Sequence, residues 1–243
     1  MSAIQNLRIG TKLAVTSLLS ILLVGAMIWA EMEGAAQTRE ASDLAARQSN
    51  IVQNAIATKA SARGMVIAGR DVRLAQTAAE IQVALRTLEE RQKATNGFVE
   101  KLLELMKVAE NRARAENVKE LAHGYVDAIK EIATIRADIT AIEQKRGAGG
   151  ELPAGLASQY AALEQRSVRL ADEKSVPTAA ELDSVVDKIV EFSGPRAEEA
   201  RTAASQAMAA AEVNLLVIGV GVRCCSSRHA RFRFSRLLGR CRH

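Results

Sequence analysis

The alternation of apolar and polar positions divides the chain into three parts. From Leu13 to Ala30, 18 residues carry no charge, and about 20 apolar residues of helix are enough to cross the hydrocarbon core of a membrane. From Glu31 to Glu212, apolar residues recur at helical spacing among many charged ones. A second apolar run begins at Val213 but meets Arg223 after ten residues, about half the length that a membrane span needs.

The most regular pattern lies between Val118 and Ile142. Eight apolar residues of this segment are separated by gaps of 3, 4, 4, 3, 3, 4 and 3. Heptad spacing of this kind keeps one stripe of a helix against a partner helix, whereas a half-exposed strand has a period of two. The eight residues are Val118, Leu121, Tyr125, Ile129, Ile132, Ile135, Ile139 and Ile142. A less regular stripe comprises Ile81, Leu85, Leu88, Phe98, Leu102 and Leu105.

Residues that disfavour helix mark the expected turns. Gly69 to Asp71 predicts the first turn, Asn111 to Glu116 a softer boundary, and Gly147 to Pro153 a clear connection between helices. Further breaks, steps or kinks are expected at Thr95 to Gly97, at Val176 and Pro177, and at Gly194 and Pro195. We therefore predict an all-α fold: an elongated antiparallel helical bundle, of the four-helix-bundle or helical bimodular type, continuous with an N-terminal transmembrane helix.

Charges on either side of the first apolar run predict its orientation. Arg8 and Lys12 precede the run, and Glu31 and Glu33 follow it. An excess of positive charge marks the cytoplasmic side of a span, so residues 1–12 are expected in the cytoplasm and the bundle outside it. A cleaved signal peptide is the alternative interpretation. Its apolar region is usually only about 7 to 15 residues long.

Composition excludes several classes of function. All 28 acidic residues and 24 of the 33 basic ones lie between Glu31 and Glu212, a net charge of −4. The overall charge of +5 therefore comes from the two ends and does not indicate a nucleic-acid partner. The three cysteines follow Val222, so the bundle has neither a disulfide framework nor a cysteine metal site. His123 is interpreted as a polar bundle residue, and we predict no catalytic residues, no metal and no cofactor.

One cluster of basic residues is a candidate ligand-binding site. Arg63, Arg70 and Arg73 surround the predicted first turn, with Asp71 as the nearest acidic residue. Converging guanidinium groups, at a bundle end or a dimer interface, bind carboxylates in bidentate fashion. The alternative is that these arginines are simply exposed beside a turn.

The first residues resemble a known class of receptor. Asn6 to Leu13, followed at once by an apolar helix, resembles the opening of bacterial methyl-accepting chemotaxis proteins, and Ala62 to Arg73 is similar to the first turn of their helical sensor domains. The resemblance covers about residues 6–222. It implies a homodimer that is anchored in the bacterial inner membrane. A periplasmic sensor domain at residues 31–212 would bind a small molecule such as an organic acid or amino acid and transmit a helix displacement.

Two other interpretations stay open. The same kind of input domain precedes histidine kinases and cyclic-dinucleotide enzymes, and the segment that would distinguish these outputs is not in this sequence. A structural coiled-coil membrane protein without a ligand is an alternative of a different class. Ligand binding by the bundle would separate the sensors from the structural protein.

The last residues depart from the chemoreceptor pattern. Residues 213–222 are interpreted as an incomplete second transmembrane helix, and residues 223–243 as an aberrant basic tail with seven arginines and no acidic residue. The codons of Cys224, Cys225 and Ser226, read one base earlier, encode apolar residues. We therefore expect a frameshift near Val222, which would leave a sensor without its signalling domain. The alternative is a palmitoylated or lipid-binding basic segment.

Overall fold

The described part of the chain is helical apart from the connections between helices. The structure, a computed structural model, describes residues 9–146 and 150–238, and the side chains of residues 9, 12, 13, 16, 154 and 215–238 lie outside that description. The helices are α1 (Ile9–Leu74), α2 (Ala78–Leu105), α3 (Ala109–Glu143), α4 (Ala154–Leu170) and α5 (Val176–Leu238), and a π turn (Ala171–Ser175) joins α4 to α5. No β-strand occurs within these ranges, and the predicted all-α fold is confirmed.

Contacts between residues divide the chain into two compact units. One unit is Arg47–Ala197, and the other consists of the chain before and after it. Within Arg47–Ala197, α1, α2, α3 and the combined α4 and α5 form a four-helix bundle. Its neighbouring helices are antiparallel, as three side-chain contacts indicate: Ser61 Oγ donates to Arg91 O at 2.9 Å, Lys119 pairs with Glu100 at 3.2 Å, and Lys174 pairs with Glu131 at 3.1 Å.

The heptad stripe of α3 supplies the centre of this bundle. Seven of its eight predicted residues are buried, and Leu121 is half-buried. Four of the buried residues belong to two hydrophobic clusters along the same four helices. The first includes Met65, Val72, Leu88, Tyr125, Ile129 and Ile132. The second includes Ile51, Val99, Leu102, Val118, Val186 and Ile189.

The first turn lies later than predicted. Gly69 to Asp71 is inside α1, which ends at Leu74, so the prediction of a turn there was wrong. The turn is instead stabilised by Thr77, whose side chain accepts a hydrogen bond from the backbone N–H of Glu80 at 3.2 Å. The Glu80 carboxylate accepts from the backbone N–H of Gln76 at 2.7 Å. A hydroxyl residue followed three positions later by glutamate is a common start of a helix.

Gly69 is required by packing and not by a turn. A Cβ atom at this position would lie 2.2 Å from Tyr125 Oη and 2.9 Å from Ile129 Cδ1. Tyr125 is 3% exposed, and its hydroxyl donates to Val66 O at 3.4 Å. Burial raises the pKa of Tyr125 to about 12, although the nearby charge of Arg73 acts in the opposite direction. The missing side chain at position 69 therefore makes room for the buried tyrosine.

Three other predicted breaks also fall inside helices. Thr95 to Gly97 lies within α2, Asn111 to Glu116 lies within α3, and α5 continues through Gly194 and Pro195. The connection between α2 and α3 is Met106 to Val108. Arg112 stabilises it by donating hydrogen bonds to the backbone carbonyls of Leu103 and Met106. Burial of one helical face outweighs the weak helix propensity of single residues such as these.

The step predicted at Val176 and Pro177 is a π turn just before them. The backbone N–H of Val176 bonds to Ala171 O, five residues earlier. Pro177 has no N–H and its ring would collide with a carbonyl one turn earlier in a regular helix. A wider π turn in front of the proline relieves that collision. The predicted connection at Gly147 to Pro153 does separate α3 from α4, although residues 147–149 are outside the described part.

The N-terminal part of α1 is apolar and its side chains are exposed. It is the one segment of the described chain long and apolar enough to cross a membrane, and it contains most of the predicted span at residues 13–30. The predicted cytoplasmic segment is residues 1–12, of which residues 1–8 are outside the described part of the chain. The side chains of the second apolar run from residue 215 are outside it as well. The backbone of α5 is helical through that run and on to Leu238.

A pair of glycine substitutions tests the packing at Gly69. Gly69→Ala is expected to lower the free energy of unfolding by about 1 to 3 kcal/mol, because the new methyl group overpacks against Tyr125. Gly124→Ala, on the exposed face of α3 with no atom within 4 Å of the new Cβ, is expected to raise it by roughly 0.5 to 1 kcal/mol. Urea unfolding of the full chain in detergent, followed by circular dichroism, measures both. Stabilisation by Gly69→Ala would contradict the packing described above.

Candidate functional site

The three arginines predicted as a ligand site all lie on α1 and are exposed. Arg63 Nε donates to Asp183 Oδ1 on α5 at 3.2 Å. Both side chains are open to solvent, so the ion pair contributes at most about 1 kcal/mol to stability. Neither Arg70 nor Arg73 forms an ion pair with any described side chain.

The spacing of these arginines determines what they can do within one chain. Arg63 and Arg70 are seven residues apart, so they share a face of α1 and lie about 10 Å apart along its axis. Arg73 lies three residues after Arg70 and is therefore rotated about a sixth of a turn from it around the helix axis. Because α1 continues through all three positions, there is no loop around which they could cluster. The three arginines therefore form a strip on the surface of α1, and Arg63 also borders a groove between α1 and α5.

Apolar residues share this strip. Ile56, Ile67 and Leu74 are 53%, 61% and 61% exposed, and their spacing of eleven and seven residues places them on the same face as Arg63 and Arg70. We refer to these five residues as the α1 face. Exposed apolar residues that align along a helix often mark a protein contact.

A separate cavity lies where α2 turns into α3. It has a volume of about 150 Å³ and is bounded by α1, the end of α2, the beginning of α3 and α5. Its lining comprises Arg47, Gln48, Ile51, Leu105, Met106, Lys107, Val108, Asn111, Phe192, Ser193 and Arg196. We refer to it as the turn cavity.

The charges around the turn cavity are all of one sign. Arg47, Lys107 and Arg196 line it, and no acidic residue does. The guanidinium group of Arg196 stacks on the Phe192 ring, with 3.5 Å between its central carbon and the ring centroid, and Arg114 approaches the same ring at 6.0 Å. Stacking on an aromatic face holds a guanidinium group in place without neutralising it. The turn cavity is therefore positively charged.

No pattern in the sequence predicted the turn cavity. Arg47 and Arg196 are far apart in the chain, and neither stands in a recognisable motif. The one available signal was the absence of acidic residues between Leu105 and Ala109, which is too common to identify a site. The antiparallel pairing of α1 and α5 brings the two arginines to one cavity.

No group of three or more His, Cys, Asp or Glu side chains in the described part is placed to hold a metal ion. His123 is exposed and lies 3.5 Å from Asp127 on the next turn of α3. Its position agrees with the interpretation of a polar residue on the bundle surface.

Comparisons with protein-family models, with curated proteins and with solved structures give no match for this chain.

Proposed function

We propose that this chain is the membrane-anchored, ligand-sensing part of a receptor of the chemotaxis type. Its N-terminus would lie in the cytoplasm, α1 would cross the bacterial inner membrane, and the four-helix bundle would lie in the periplasm as a homodimer. The resemblance of residues 6–13 and 62–73 to chemotaxis receptors supports the proposed type of receptor. The length and apolar character of the first part of α1 support the membrane anchor.

The exposed apolar part of α1 is the observation that carries the proposal. Eight large aliphatic side chains there are about half to two thirds exposed: Val15, Leu18, Leu19, Ile21, Leu22, Leu23, Val24 and Ile28. Leaving them in water would cost on the order of 10 kcal/mol or more relative to burial. A lipid bilayer removes that cost and leaves the backbone hydrogen bonds of the helix intact. Trp29, 75% exposed, would then lie near the outer interface, which tryptophan favours.

A double substitution tests the anchor. Leu19→Arg combined with Leu22→Arg adds about 5 to 7 kcal/mol to the cost of insertion, because each arginine near the middle of a span costs about 2.5 to 3.5 kcal/mol. We expect the full chain to move from the carbonate-washed membrane fraction to the soluble or aggregated fraction. The matched control, Val83→Arg with Val168→Arg, changes two exposed residues of α2 and α4 and is expected to stay with the membrane. Equal behaviour of the two double variants would rule out this anchor.

The α1 face supports the homodimer. If two chains paired through this face, each would cover Ile56, Ile67 and Leu74 of the other. The same pairing would bring Arg63 and Arg70 of one chain close to those of its partner. Such a pairing needs an anion between the guanidinium groups, because like charges repel at short distance. We therefore propose that the arginines of α1 bind their ligand at the interface between two copies of the chain.

One substitution on the α1 face tests the dimer. Ile67→Arg places a third charge in the middle of the proposed interface, and we expect the dimer dissociation constant of the full chain in detergent to rise at least about tenfold. Val83→Arg, at an equally exposed position of α2, is expected to leave it unchanged. Light scattering after size-exclusion chromatography measures both. A dimer that survives Ile67→Arg with unchanged affinity would place the interface elsewhere.

A ligand screen separates the sensor from a structural protein. A molecule that binds only the folded bundle raises its melting temperature, so at least one member of a panel of small organic acids and amino acids is expected to stabilise the full chain in detergent. Circular dichroism measures the effect, with sodium chloride at equal ionic strength as the control. If no panel member raises the melting temperature, the structural coiled-coil interpretation is favoured.

A further inference from the structure

We infer that the turn cavity is a binding site for a small organic carboxylate, contained within a single chain. The inference rests on the proposed sensor function for its biological purpose. The geometry that supports it belongs to the bundle alone. The turn cavity is a different site from the arginine strip on α1.

A buried hydrogen-bond donor without a partner is the first support. Arg47 Nε is buried and has no hydrogen-bond partner in the structure. Asn111 and Ser193 are each only 2% exposed, and both line the cavity. A buried polar group left without a partner costs about 1 to 3 kcal/mol, so the unpaired Arg47 Nε beside the polar Asn111 and Ser193 indicates that a ligand satisfies it.

The orientation of Asn111 makes it a donor toward the cavity. Its Oδ1 accepts a hydrogen bond from Arg114 Nη1 at 2.8 Å. Because arginine can only donate, this contact identifies the oxygen, and the remaining amide nitrogen is the group left for a ligand. Arg114 is itself paired with Glu110 on the previous turn of α3. This chain of contacts fixes the side chain before any ligand arrives.

The beginning of α3 adds backbone donors. Its first residue is Ala109, and Val108, the residue in front of it, provides no side-chain cap. The N–H groups of the first turn therefore lack the partner that a serine or aspartate would supply. Val108 and Asn111 both line the cavity, so this end of the helix, with its partial positive charge, faces the same space.

The apolar lining favours an organic anion over an inorganic one. Ile51, Leu105, Met106, Val108 and Phe192 form nearly half of the lining. A volume of about 150 Å³ holds a molecule of about six heavy atoms. The occupant that fits the donors, the charge, the apolar wall and the size is a short-chain monocarboxylate, with its carboxylate at the donors and its alkyl group on the apolar side chains.

Calorimetric titration of the full chain in detergent tests the inference. The probes are acetate, propionate and butyrate, with butyramide as the uncharged equivalent of butyrate and inorganic phosphate as an anion without an alkyl group. We expect at least one of the three carboxylates to bind with a measurable dissociation constant and butyramide to bind at least about tenfold more weakly, because a charge-assisted hydrogen bond contributes that factor or more. Phosphate binding as tightly as the best carboxylate would overturn the assignment to organic acids.

Two substitutions locate the site. Arg47→Met removes the buried donor with little change in volume, and Arg196→Met removes an exposed guanidinium group, so the second variant is informative even if the first fails to fold. Each is expected to raise the dissociation constant of the best carboxylate about ten- to hundredfold. Arg86→Met, which removes an exposed arginine of α2 outside the cavity, is the matched control and is expected to leave binding unchanged.

A further variant distinguishes failure of this inference from failure of the sensor proposal. If carboxylate binding survives Arg47→Met and Arg196→Met but is lost when Arg63, Arg70 and Arg73 are all replaced by alanine, the turn cavity is not the site and the sensor proposal stands with the α1 face as its site. If no carboxylate binds the full chain, the inference is overturned, while the sensor proposal still depends on the wider ligand screen. Binding lost in both cavity variants and kept in the triple variant supports the inference.

Discussion

The burial of one stripe of α3 is the interaction on which the bundle depends. Residues from Val118 to Ile142 contact α1, α2 and the segment around the π turn, so both hydrophobic clusters include α3. Heptad spacing over this length keeps the stripe turned inward along the whole helix. The neighbouring helices can therefore be rich in alanine and short of aromatic residues and still bury two hydrophobic clusters.

Small residues on α1 are the counterpart of that stripe. Gly69 admits the ring of Tyr125 against the helix backbone, and Ala55, Ala62 and Ala68 are buried on the same helix. Close approach of two helices increases dispersion contacts between them. The turn cavity differs from this close packing because one buried donor there has no partner and its three cationic side chains have no acidic residue beside them in the lining.

The turn cavity and the exposed apolar part of α1 are two places in the described part of the chain that depart from a well-packed bundle. Each has a physical cost that the chain alone does not offset: an unpaired buried donor in one case and exposed aliphatic side chains in the other. A carboxylate would relieve the first cost and a bilayer the second. The proposed function joins these two occupants in one molecule, with α1 contributing residues to both regions.

The sequence by itself determined the fold class, the buried stripe of α3 and the one apolar segment suited to a membrane, because each is a periodic or compositional property that extends over many residues. It misplaced the turns at Gly69 and Asn111, since a single residue that disfavours helix is easily outweighed by burial of a helical face. Only the tertiary structure decided that Gly69 serves packing. It also decided that Arg47, Asn111 and Arg196 meet at one cavity, because their proximity depends on how antiparallel helices align, and no local pattern records that alignment.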